Sequence, residues 1–124
     1  MKARLDLLQQ ANVITEQAYL GCLRALEVID RQLSLAHDSE QYQMAITHLA
    51  RAADRIWQNE PVEEGLDQDV LDEIEADECY PQVLKLHQQI VASMGIETLP
   101  ASEESFLLAN VYSLIQVSLE DQPL

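Results

Sequence analysis

His48 is the side chain of this sequence best placed to act as a charge switch. It stands in the run Tyr42-Gln43-Met44-Ala45-Ile46-Thr47-His48-Leu49-Ala50-Arg51-Ala52-Ala53-Asp54-Arg55-Ile56-Trp57, at the edge of an apolar stripe. On a helix its neighbours three before and four after are Ala45 and Ala52. Alanine at both places leaves open space around the imidazole or lets another helix approach closely. Arg51, three residues on, reaches the same surface, and Arg55, seven on, lies further along it. A guanidinium beside an imidazole favours the neutral, nucleophilic ring. It also stabilises a phosphate placed on that ring. The same spacing describes a satisfied, partly buried histidine with ordinary surface arginines, so both readings stand at this level.

The other reactive side chains point to less. His87 falls on an apolar stripe and is expected to be a core histidine with its polar atoms hydrogen-bonded; His37 falls in a turn and is expected to be solvated. No two histidines are three or four residues apart and there is no HExxH pattern, so neither a metal site nor a cofactor is expected. Carboxylates are abundant but are expected on solvated faces. With no GxSxG elbow and no glycine-rich phosphate loop, an enzyme is not expected. Cys22 and Cys79 form no CxxC pair and no secretory signal is recognisable, which leads to reduced thiols in a cytoplasmic protein.

These residues must be positioned by helices. With 124 residues, three glycines and four prolines, the chain suits one all-α domain over 1–124. A first short helix is expected from Lys2 to about Asn12. Thr15 then reads as an N-cap, with Glu16 in the first turn of a helix whose inner face is Tyr19, Cys22, Leu23, Leu26, Ile29 and Leu33. The turn Ala36-His37-Asp38-Ser39 precedes the helix of His48, expected from Glu40 to Asn59 and stopped before Pro61. Pro81 opens a helix that Gly95 closes. Ser102 is expected to cap the last helix, Phe106 to about Leu119, which is apolar over most of its circumference and so is either central or at a subunit interface. Between 60 and 78 lie ten carboxylates and no basic residue; Val70, Leu71 and Ile74 suggest a short helix there, a mobile loop being the alternative. The sum is a compact bundle of about five main helices plus that short one.

Charge narrows the partners. The net charge is −15, and it is uneven: six basic and seven acidic side chains up to residue 55, then one basic and fifteen acidic. Such a surface repels phosphate backbones and anionic lipid, so no direct contact with nucleic acid or membrane is expected. It attracts a basic partner, and it also serves simply to keep a protein in solution.

Several segments, in this order, resemble the PTS regulation domain (PRD) of bacterial antiterminators and activators. They are Leu5-Asp6-Leu7-Leu8-Gln9-Gln10-Ala11-Asn12-Val13-Ile14-Thr15, Met44-Ala45-Ile46-Thr47-His48-Leu49-Ala50-Arg51-Ala52, Met94-Gly95-Ile96-Glu97-Thr98-Leu99-Pro100 and Glu103-Glu104-Ser105-Phe106-Leu107-Leu108-Ala109. The resemblance spans about residues 5–115. It implies a helical bundle, commonly a homodimer, phosphorylated on histidine by the phosphocarrier protein HPr or by sugar-permease components. His48 matches the family's first regulatory histidine. Position 110 matches the second and holds Asn110, which has no imidazole nitrogen to accept a phosphoryl group. Thr47 stands where many members have an acidic residue. The family's output modules have no room in 124 residues, so any effect on transcription is expected to pass through another protein, such as a full-length PRD regulator. A module that pairs with such a regulator without phosphorylation is the alternative.

Overall fold

The computed structural model describes residues 1–120, and among them every regular element is helical. The elements are α1 (Lys2–Gln10), α2 (Glu16–Gln32), α3 (Glu40–Trp57), α4 (Gln68–Ala76), α5 (Tyr80–Met94) and α6 (Ala101–Glu120). Local chemistry sets most of their ends. Thr15 Oγ1 accepts the Ala18 N–H at 3.1 Å to start α2, and Ser39 Oγ accepts the Tyr42 N–H at 3.4 Å to start α3. Asp67 takes the same role for α4, accepting the Asp69 N–H at 2.8 Å.

Three helices stop in one manner. Asn12, Asn59 and Gly95 each have positive φ, at 59°, 59° and 77°. At each, the next residue's N–H reaches back to close the helix end: Val13 to the Leu8 carbonyl, Glu60 to Arg55 and Ile96 to Val91. This corrects two expected boundaries. α1 ends at Gln10 rather than Asn12, and α3 ends at Trp57 rather than Asn59. In α3 the left-handed Asn59 stops the helix before Pro61 has any influence.

The last helix also departs from expectation. It begins at Ala101, with the Glu104 N–H bonded to the Pro100 carbonyl at 2.9 Å. Ser102 is therefore inside the first turn, not an N-cap, and its Oγ donates to the Val62 carbonyl at 2.7 Å. The acidic connection before α4 is held against this turn: the Leu66 N–H donates to Ser105 Oγ at 2.8 Å. Gly65 permits the approach, since a Cβ there would lie 2.8 Å from Ser105 Oγ and 3.2 Å from the Ser102 Cα. The expected short helix is α4, with Ile74 buried beneath it.

α2 lies against α3 and α5, and α6 closes the other side against the same two helices. α1 rests on α2, and α4 on α5 and α6. The core fills the space between them, with Leu5, Ile29, Tyr42, Ile46, Leu86 and Ile115 almost wholly withdrawn from water. Gly21 lets α2 and α5 cross closely; a Cβ there would meet Met94 Cε at 3.3 Å. Arg24 ties the same pair at its end by donating to the Ser93 carbonyl at 2.7 Å. α6 is central on one side only: Leu107, Val111 and Ile115 are buried, while Phe106 and Leu119 face solvent.

Candidate functional site: the groove between α3 and α6

α3 and α6 leave an open groove of about 510 Å³ along their solvent side. His48, Arg51, Arg55 and Asn110 all line it, so the fold brings together the four residues singled out from sequence. Ala45 and Ala52 are both buried; Ala52 lines the groove, while Ala45 lines a small core cavity behind it. His48 is not packed in the helix seam. Its ring is exposed on the rim. Beside it, Thr47 Oγ1 donates to the Gln43 carbonyl at 2.8 Å and accepts from Arg4 Nε at 2.9 Å, which ties α1 to the histidine's turn.

The two arginines differ. Arg55 grips Glu103 with two parallel bonds, Nε to Oε2 at 2.8 Å and Nη2 to Oε1 at 2.9 Å. Glu103 has no solvent exposure and also accepts the Val62 N–H at 3.2 Å. Burial alone would push the Glu103 carboxyl up, but the Arg55 pair and the Val62 amide outweigh it and hold it below the usual carboxylate range. The charge of Arg55, expected to support a phosphate, is thus largely spent on joining α3 to α6 and to the loop at Val62. Arg51 is exposed and has no side-chain partner among the described residues. The nearby acid, Asp54, is buried and occupied: it accepts from the Thr15 N–H at 2.9 Å and from Thr15 Oγ1.

Glu103 is the residue that sequence reasoning missed, because carboxylates were assigned to solvated faces. One signal was present. Glu103 is in four-residue register with Leu107, Val111 and Ile115, which places a carboxylate on an apolar stripe.

Asn110 is half-buried and faces both the groove and a small core cavity of about 20 Å³, whose far wall includes His87. His87 is 4% exposed, as expected of a core histidine. It lacks the expected hydrogen bonds among the described residues. Burial lowers its pKa below the ordinary value, with the charge of Glu104 opposing. His37 is exposed in its turn, yet it is bound as well as solvated: Nε2 lies 2.9 and 3.0 Å from the two Asp30 oxygens, with the ring edge-on to Tyr42. Cys22 is buried and its thiol is pushed up to about 12 by that burial. Among the described residues no cluster of three or more His, Cys, Asp or Glu side chains is arranged to hold a metal ion, and no helix is long and apolar enough to cross a membrane.

Over 121 residues the chain is 35% identical to the uncharacterized protein YhfY of Escherichia coli (strain K12), spanning 98% of this chain and 99% of that protein. The chain belongs to the YhfY family. It is also 29% identical over 87 residues to an uncharacterized protein of Haemophilus influenzae (strain ATCC 51907 / DSM 11121 / KW20 / Rd), covering 70% of this chain and 68% of the other. No family model matches the chain, and no solved structure matches it. The alignment with YhfY takes in nearly the whole chain, so the relation is one of entire domains rather than of a shared motif. In this YhfY-family chain, whose net charge is −15, the groove gathers His48, Arg51 and Arg55.

Proposed function

We propose that this YhfY-family chain is a stand-alone PRD-like regulatory module. His48 takes a phosphoryl group from HPr or a sugar-permease component, and the modified surface acts on transcription through protein–protein contacts. One observation carries the reading: His48 is the histidine whose ring is open beside an unpaired arginine. His37 is held by Asp30, and His87 is buried.

In this reading an unprotonated ring nitrogen of His48 attacks the donor's phosphorus. A P–N bond forms as the donor's bond to phosphorus breaks. The product adds about −1.5 to −2 charge at the groove rim. Arg51 is free to pair with it, and that charge also competes with Glu103 for Arg55. The groove mouth then changes sign, and so does its preference for a partner surface. A second copy of the chain and a full-length PRD regulator are the partners this fits. Incubation with HPr, its upstream kinase and labelled phosphoenolpyruvate tests it. Label is expected on the wild type and absent from His48→Ala; an unlabelled wild type, or equal label on the variant, contradicts it.

Asn110 favours a second reading. The position matched to the second acceptor cannot accept a phosphoryl group through an imidazole, and Phe106 lines the groove while exposed to solvent, as is Met44 one turn before His48 on α3. A phosphorylation-independent binding module would use that surface directly. Capture of a PRD regulator that is indifferent both to phosphorylation and to His48→Gln supports this reading over the switch.

A further inference from the structure

We infer that the cleft between α5 and α6 beside His87 is a binding site for an alkylammonium group, separate from the His48 groove. The cleft measures about 300 Å³ and is lined by Leu84, His87, Val91, Ile96, Leu99 and Glu104, among others. Its walls are mainly aliphatic, with His87, Gln88 and Glu104 as its polar side chains, which is the usual make-up of a small-ligand site.

His87 supplies the reason to expect an occupant. It is 96% withdrawn from water, yet its ring nitrogens have no hydrogen-bond partner among the described residues. No fully buried side-chain nitrogen or oxygen there lacks a partner, so the ring nitrogens must reach a solvent edge. His87 lines both the small core cavity, about 20 Å³, and this cleft, and the cleft is the one with room for a ligand. Nitrogens that reach only a narrow solvent edge are available to hydrogen-bond a group that enters the cleft.

The charges in the cleft identify the class of that group. Glu104, from α6, is the charged side chain in the lining, and no lysine or arginine lines the cleft. Burial favours a neutral His87, which offers one acceptor nitrogen. A carboxylate and a neutral acceptor above aliphatic walls suit a primary ammonium on a short alkyl chain: the N–H groups bond to Glu104 and His87, and the methylenes cover Leu84, Val91 and Leu99. An anion finds no counter-charge there. The ammonium can belong to a free alkylamine or to a lysine side chain of a partner protein.

The test uses the isotopically labelled full chain in an amine-free phosphate buffer, followed by NMR at the His87 ring. The probes are n-butylamine, Nα-acetyl-lysine N-methylamide and, as a neutral analogue, n-butanol. Saturable shifts are expected with both amines, about tenfold weaker with the alcohol, equivalent to about 1.4 kcal/mol. They are expected to be lost in Glu104→Gln and in Ala92→Leu, which fills the cleft from its exposed lip, and kept in His48→Ala. Tighter binding of the lysine derivative assigns the site to a partner's side chain, and tighter binding of butylamine to a free amine. Absence of saturable shifts, equal response to the alcohol, or unchanged binding in Glu104→Gln and Ala92→Leu overturns the proposal. Because His48 takes no part, this outcome is independent of the phosphorylation assay.

Discussion

Arg55 and Glu103 are 48 residues apart in sequence, and their pairing decides which arginine is left for His48. Removing Arg55 leaves a carboxylate with no exposure and one amide partner. Breaking a fully buried pair costs about 3–5 kcal/mol. Arg55 is 36% exposed, so water screens part of this, and about 2–3 kcal/mol is expected for Arg55→Ala in urea unfolding. Arg51→Ala should behave oppositely. Exposed and unpaired, it should change stability by less than about 0.5 kcal/mol, while slowing phosphoryl transfer to His48 about tenfold, the loss of one charge-assisted contact. Equal effects of the two substitutions on labelling would contradict this division of roles. Sequence spacing located His48, Arg51 and Arg55 because they share one helix face, and the PRD resemblance pointed to Asn110. It could not show that Arg55 was taken, since helical periodicity carries no information about a partner on another helix.

At the scale of elements, the starts of α2 and α3 and the end of α5 were legible from Thr15, Ser39 and Gly95. Each acts within four residues of itself. The ends of α1 and α3 were less so. Asparagine enters the left-handed region at some cost, so Asn12 and Asn59 signal a stop more weakly than glycine does. The start of α6 was misplaced because the Pro100 carbonyl already accepts the Glu104 N–H, which puts Ser102 inside the first turn, where its hydroxyl donates to the Val62 carbonyl, a partner 40 residues away. Two glycine substitutions probe these elements. Gly95→Ala keeps every contact but puts a Cβ at φ 77°, so a loss of about 1–2 kcal/mol is expected by thermal unfolding. Gly21→Leu drives a side chain into Met94, and overpacking of that kind costs about 1–3 kcal/mol. Gly21→Ala should be nearly neutral, because the atom it meets is the flexible end of Met94 and alanine improves the helix.

For the whole molecule, charge and pH act together. The lowered Glu103 carboxyl contributes stability that is fully present above its ordinary value of 4.5 and is lost as pH falls through the folded value. His87 works in the same direction at higher pH. The unfolded chain takes up its proton near 6.5 and the folded chain resists it, so stability falls as pH drops from 6.5 through the lowered folded value. Urea unfolding from pH 8 to 3 should therefore show two declines. The upper should vanish in His87→Leu and the lower should shrink in Glu103→Gln, with Asp77, also held low by Cys79 and Tyr112, keeping part of it; a pH profile unchanged by either substitution contradicts the assignment. The net charge of −15 also predicts that encounter with a basic partner slows steeply as salt rises, measurable by stopped-flow between about 0.01 and 0.15 M ionic strength.

The most direct test of the account is to locate the phosphate among the three histidines. The chain would be phosphorylated through HPr and phosphoenolpyruvate, digested without acid and mapped by mass spectrometry. The account predicts an acid-labile phosphate on the peptide carrying His48 and none on those carrying His37 or His87. Phosphate on either of the others, or on none of the three, would contradict it.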